Sequence, residues 1–134
     1  MASAFCTAGK KALLDAVVAH TWKAALYTSS ATLDATTPAY TATNEVASSG
    51  RYTATGNTLT SAVTGSGSGT AWLDFADTTW ATATFTARYM LIYDSSDSNR
   101  AYAVIDFGSD KTGQGGNFTF VFPTADASNA IIRI

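Results

Sequence analysis

The sequence predicts an all-β protein: an antiparallel β-sandwich of jelly-roll-like form with one short N-terminal helix. Three observations predict it. About eight short runs alternate apolar and polar side chains between turn signals. Threonine recurs throughout, and its branched Cβ suits a pleated, half-exposed surface. Beyond the first twenty residues no strand–helix alternation supports a parallel sheet. A length of 134 residues fits one domain, 1–134, with a helix over 3–19 and strands over 21–134. A chain of this size buries enough surface to fold without a metal or a disulfide.

The elements follow in order. Leu13, Leu14, Val17 and Val18 recur at helical spacing and give residues 3–19 one apolar face. Ser3 is its N-cap candidate, Lys11 and Asp15 form an i,i+4 pair, and Gly9 weakens its middle. Residues 21–28 read as the first strand, with Trp22, Ala24 and Leu26 on one side. The polar stretch 29–49, containing Pro38, is longer than ordinary loops, and such loops tend to carry function. Residues 51–55 and 58–64 read as a hairpin turning at Gly56-Asn57. The run 65–69 reads as a flexible glycine turn into a strand over 70–76.

Residues 80–94 begin with Thr82, Thr84 and Thr86 alternating with Ala83, Phe85 and Ala87. From Tyr89 to Tyr93 they are apolar on both sides, as in a central, doubly covered strand. A turn over 94–99 leads to a return strand over 100–107, and 108–116 reads as a glycine-rich loop. Phe118, Phe120 and Phe122 then share one face of a strand that Pro123 ends. Ala130, Ile132 and Ile134 point inward from a closing strand over 129–134.

Charge is scarce. Asp, Glu, Lys and Arg make up 13% of the chain, about half the usual share, and the net charge is −2. No basic field is present to attract nucleic acid, and weak self-repulsion favours association. Asp15 interrupts the only early apolar run, so neither a secretion signal nor a membrane span is expected, and synthesis is expected in the cytoplasm. The single cysteine, Cys6, forms no internal bridge.

Motifs of catalysis are weak. Cys6 and His20 are the one possible Cys–His pair, and they sit at the two ends of the expected helix rather than side by side. Zinc lacks ligands in a chain with one His and one Cys. The oxygens of residues 94–99 lack the glycine and terminal Glu of a calcium loop. In residues 108–116 the Lys111-Thr112 pair precedes the last glycines, the reverse of a phosphate loop. The acids Asp74, Asp77, Asp94 and Asp106 have no spacing that places two across a glycosidic bond. The expectation is a non-enzyme without cofactors or metal.

A series of segments carries a resemblance. Lys23-Ala24-Ala25-Leu26-Tyr27-Thr28-Ser29-Ser30 is followed by Tyr40, Asn44-Glu45-Val46 and Gly50-Arg51-Tyr52-Thr53-Ala54-Thr55-Gly56 with Leu59-Thr60. Phe75-Ala76-Asp77-Thr78-Thr79-Trp80, Thr84-Phe85-Thr86-Ala87-Arg88-Tyr89, Ile92-Tyr93-Asp94 and Ile105-Asp106-Phe107-Gly108-Ser109-Asp110-Lys111 complete it. This order, over nearly the whole chain, resembles small virion structural proteins of tailed bacteriophages, among them capsid decoration or cement proteins of jelly-roll-like fold. The resemblance implies a capsid-exterior location in the virion, the major capsid protein as partner, and a homo-oligomer, dimer or trimer. It brings no catalytic residues.

Phe5, Lys10, Lys11, Tyr40, Arg51 and Tyr52 are the candidate contacts of such a surface. They lie in the terminal segment or beside the long loop, and Arg and Tyr are enriched at interface centres. Core packing competes for Phe5 and Tyr52, and solvation competes for Lys10 and Lys11. The alternative function is a receptor- or carbohydrate-binding module of a phage neck or tail fibre, with Trp72 and Trp80 as an aromatic patch.

Overall fold

Alternation of side chains does produce strands, and every pairing among them is antiparallel. The computed structural model describes all 134 residues. One helix, α1 (Thr7–Asp15), precedes β1 (Trp22–Tyr27), β2 (Asn57–Thr58), β3 (Val63–Gly67), β4 (Thr70–Asp74) and β5 (Thr78–Ala83). Then come β6 (Thr86–Asp94), β7 (Arg100–Thr112), β8 (Gly116–Phe120) and β9 (Ile132–Arg133). Contacts group the chain into two compact units: Met1–His20, Thr60–Ala76 and Val121–Ile134 form the first, Thr21–Leu59 and Asp77–Phe120 the second.

In the first unit, β3, β4 and β9 form a sheet in that order. The helix is shorter than 3–19. Cys6, in extended conformation and without a side-chain hydrogen bond, takes the N-cap place expected of Ser3. Leu14 is the helix's one buried side chain, whereas Leu13 is 56% exposed, so the apolar face is narrower than its spacing suggests. Polar ties compensate: the Asp15 carboxylate accepts from Thr64 Oγ1 at 2.5 Å and from Lys11 Nζ at 2.9 Å. Lys10 Nζ donates to the Gly69 carbonyl at 2.8 Å.

The glycine run is not a flexible turn. Gly65 and Gly67 lie within β3, and only Ser68-Gly69, at φ 52° and 80°, turns the chain. Two central residues at positive φ match the twist of a tight hairpin. Trp72 explains Gly65: a Cβ there would come within 2.5 Å of the indole. Phe122 does not extend β8 as expected; that strand stops at Phe120, and Phe122 packs on Phe75 at 5.6 Å between ring centroids.

In the second unit the sheet order is β2-β1-β6-β7, and β5 pairs with β8. β6 has both neighbours and is buried from Met90 to Asp94, as its doubly apolar sequence predicts. The hairpin expected at Gly56-Asn57 is absent. Arg51 and Thr55 have φ of 72° and 80°, which breaks residues 51–55 into turns, and Asn57–Thr58 pairs with β1 instead. Gly56 comes so near the Ala24 carbonyl that a Cβ would lie 1.8 Å from it. The stretch 80–94 splits at Thr84-Phe85, with Thr82 at φ 54°. β7 runs on through Gly108 to Thr112, with register shifts against β6, where a return strand to Phe107 and a loop were expected.

One face of this sheet carries Ala25, Tyr27, Leu91 and Tyr93, on which Leu33, Tyr40 and Val104 pack. A separate aromatic group joins Trp80 to Tyr52, Phe85 and Phe118, with centroids 6.0–6.4 Å apart.

Candidate functional site

The long polar loop between β1 and β2 is ordered by backbone pairing at both margins of the sheet. Near its start Thr28 N donates to Asn44 O at 3.0 Å, and Val46 N donates to Leu26 O at 3.0 Å. Midway, Ala101 N donates to Pro38 O at 3.1 Å and Tyr40 N to Asn99 O at 2.9 Å. The loop therefore crosses from β1 to β7 and returns, a strap over the Tyr27–Tyr93 face.

Its fastening is a carboxylate among phenols. Glu45 Oε1 accepts from Tyr40 Oη at 2.6 Å, and Oε2 accepts from Tyr52 Oη at 2.5 Å and Thr55 N at 2.8 Å. Tyr52 Oη also accepts the buried Leu26 N–H at 3.0 Å, tying the carboxylate to β1. Tyr27 Oη donates to Thr41 O and Tyr93 Oη to Thr55 O, each at 2.7 Å. The Tyr40 and Tyr93 rings stack 5.0 Å apart. Burial pushes all four phenols upward, Tyr93 to about 12, and the Glu45 carboxylate adds to the rise at Tyr40 and Tyr52. Each stays a protonated donor at neutral pH. Lys23 Nζ borders the site, donating to Thr55 Oγ1 at 2.7 Å, and every bond of the cluster ties the loop to the sheet or to itself.

The six candidate contacts do not form one cluster. Phe5, Lys10 and Lys11 belong to the first unit. Phe5 is 59% exposed, with Lys10 Nζ 5.8 Å from its ring centroid, and Lys11 is engaged by Asp15. Tyr40, Arg51 and Tyr52 belong to the second. Arg51 is exposed, but Tyr40 is half-buried and Tyr52 only 2% exposed, so both support the strap from within. Glu45, which the candidate set lacks, is the residue that joins them. Spacing alone could have suggested it, since a lone acid lies midway between two tyrosines in a loop otherwise free of carboxylates beyond Asp34.

The exposed large apolar side chains are Met1, Phe5, Leu13, Val63, Val121 and Ile134. All six belong to the first unit. Of the two tryptophans expected to form a patch, Trp80 is 3% exposed and interior, while Trp72 is half-buried against Gly65. Cys6 is exposed at the start of α1 and His20 follows the helix, and no three His, Cys, Asp or Glu side chains gather to hold a metal ion. No helix is long and apolar enough to cross a membrane. Comparison with family models, with curated proteins and with solved structures returned no match.

Proposed function

We propose that this chain is a decoration or cement protein of a tailed-phage virion, binding the major capsid protein on the exterior of the shell and stabilising it. The observation that carries the reading is the confinement of every exposed large apolar side chain to the first unit, while the second is closed by its strap. A cement protein needs a stiff body and an adhesive surface rather than a cleft, because its work is to resist separation of neighbouring subunits. The strapped sheet supplies stiffness, and Phe5, Leu13 and Val63 supply adhesion. Sparse charge removes the repulsion that would oppose dense packing of copies. We also read the four-stranded sheet and the β5–β8 pair as two layers of a jelly-roll-like sandwich, supported by Phe107 of β7 lying 6.3 Å from Phe118 and 6.2 Å from Phe120.

Mixing purified protein with undecorated capsids and imaging the particles tests the reading. Added density at regular lattice positions is the expected result, and bare capsids at saturating protein would overturn it. Trp72 favours a second reading, a carbohydrate-binding module of a neck or fibre. Its ring lies on a glycine of the neighbouring strand, the kind of aromatic platform on which sugar rings stack. Saturable signal on a glycan array, lost in Trp72→Ala, would favour that reading over the first.

A further inference from the structure

Sheet edges are adhesive unless something blunts them. Most edges here are blunted. β2 and β9 are two residues long. β7 is broken by register shifts, and its Ala101 N–H is occupied by Pro38. The β5–β8 pair is irregular between Trp80 and Ala83, and the Asn57 side chain caps the Thr79 carbonyl. β3 differs from all of these. Its five residues, Val63-Thr64-Gly65-Ser66-Gly67, keep unbroken register with β4 and contain neither charge nor proline.

The pairing pattern shows which of its backbone groups are free. In a two-residue hairpin the residues flanking the turn exchange hydrogen bonds, and alternate pairs along the ladder do the same. Gly67–Thr70, Gly65–Trp72 and Val63–Asp74 are therefore the bonded pairs. The far side of β4 agrees: Ala71, which faces Ser66 in the ladder, instead exchanges bonds of 2.9 Å with Ile134. Thr64 and Ser66 consequently turn their N–H and C=O groups outward, and neither group has a backbone partner in the chain.

We propose that β3 is a homodimerisation edge, paired antiparallel with β3 of a second copy about a two-fold axis through Gly65. The register is self-complementary. Thr64 of each copy faces Ser66 of the other, which satisfies all four outward donors and all four outward acceptors of the pair in four hydrogen bonds. Val63, 51% exposed, covers Gly67 of the partner, a position with no side chain of its own to clash. Gly65 meets its symmetry mate at the axis, where a larger residue is already excluded by Trp72. The paired strands carry no charge of their own, and the Asp15 carboxylate that accepts from Thr64 in each copy is neutralised by its own Lys11. The result is a continuous six-stranded sheet, β9-β4-β3 joined to its two-fold copy, of the isologous kind. This inference deepens the expectation of a homo-oligomer by naming the strand edge and the register that join the copies, and it holds or fails without any capsid.

Size-exclusion chromatography with light scattering, on the isolated protein over a wide concentration range, tests it together with Ser66→Pro. Proline at 66 deletes one outward N–H that the monomer does not use. The expected result is about twice the 13.9 kDa chain mass for the native protein and the single mass for Ser66→Pro. A native protein that is monomeric at every concentration overturns the proposal, as does a folded Ser66→Pro that still dimerises. Hydrogen exchange of the native protein gives an answer even where the variant fails to fold. The Thr64 and Ser66 amides gain protection as concentration rises if the edge pairs, and exchange at one unprotected rate at all concentrations if it does not. Capsid imaging of a monomeric protein would still score the capsid reading, so the two can fail separately.

Discussion

Truncating Glu45 is the sharpest perturbation of the strap. Glu45→Ala removes the acceptor of three hydrogen bonds, at 2.5, 2.6 and 2.8 Å, two of them from phenols. Bonds to an ionised acceptor contribute about 1.5–3 kcal/mol each. They are not additive here, because Tyr40 is half-buried and can find water, while Tyr52 is 2% exposed and cannot. The dominant cost is one stranded buried hydroxyl plus one stranded amide at Thr55, giving a loss of about 3 kcal/mol. Glu45→Gln keeps an oxygen at the Oε2 place for Tyr52 and Thr55, and its NH2 can face a Tyr40 hydroxyl turned to accept. That variant should lose about 1 kcal/mol. Tyr52→Phe strands the buried Leu26 N–H as well and should fall between them. Urea unfolding followed by circular dichroism measures the series through its midpoints at constant slope. A Glu45→Ala midpoint within about 0.5 kcal/mol of the native protein would refute the fastening argument, since that is the scatter of ordinary surface changes.

The remaining predictions concern alkali, glycine and a surface pair. Tyr27, Tyr40, Tyr52 and Tyr93 are raised above their unfolded value of 10, so stability is full below pH 10 and is lost as pH rises through that value, toward about 12 for Tyr93 and further for the other three. An ultraviolet titration should show the buried phenols ionising together with loss of the far-ultraviolet β signal; independent ionisation near pH 10 with the fold intact would contradict this. Gly56→Ala, with φ +81° and a Cβ 1.8 Å from a carbonyl oxygen, should cost about 3 kcal/mol or more, against about 1 kcal/mol for Gly69→Ala, which has φ +80° but open space. Equal melting temperatures for these two variants would show that close approach does not matter at Gly56. Arg88→Ala removes an ion pair with Asp106 at 2.7 Å on an exposed strand surface and should shift stability by less than about 1 kcal/mol in the same unfolding assay.

The antiparallel, strand-rich character of this chain was legible because period-two alternation reports local burial directly. β4 shows it most plainly, with Ala71 and Leu73 buried between half-buried neighbours, whereas β1 and Met90 to Tyr93 are apolar runs buried on both faces. What alternation does not report is partner choice. Gly56-Asn57 has the composition of a hairpin turn, yet Gly56 serves a close approach to Ala24, a contact set by β1 more than thirty residues earlier. Gly65 of β3 looks like part of a linker because its reason for being small, the Trp72 ring, lies on the next strand. The helix is shorter than its apolar spacing at both ends: the chain is extended at Cys6, and past Asp15 the bonds tighten into turns, Val17 N to Leu14 O and His20 N to Val17 O, although Val17 and Val18 stay half-buried. Candidate contacts chosen by residue type mixed two roles. Tyr40 and Tyr52 carry interface-like chemistry but use it inward, on a single acid whose importance depends on distances that spacing does not encode.

The segment order of the two units sets a schedule for folding. Residues 1–20 and 60–76 can form α1 and the β3–β4 hairpin early, but β9 and Phe122 arrive only after residue 121. The second unit is likewise interrupted, since β1 must wait for β6 across most of its length. Neither body can be cut out as one uninterrupted piece of polypeptide, and nascent chains shorter than about 120 residues leave both incomplete. Such wide sequence separation slows folding, because chain closure must precede the contacts that reward it. Ribosomes translating one message together would therefore hold partly formed sheets with open margins near one another, and each margin closes only when its last strand arrives.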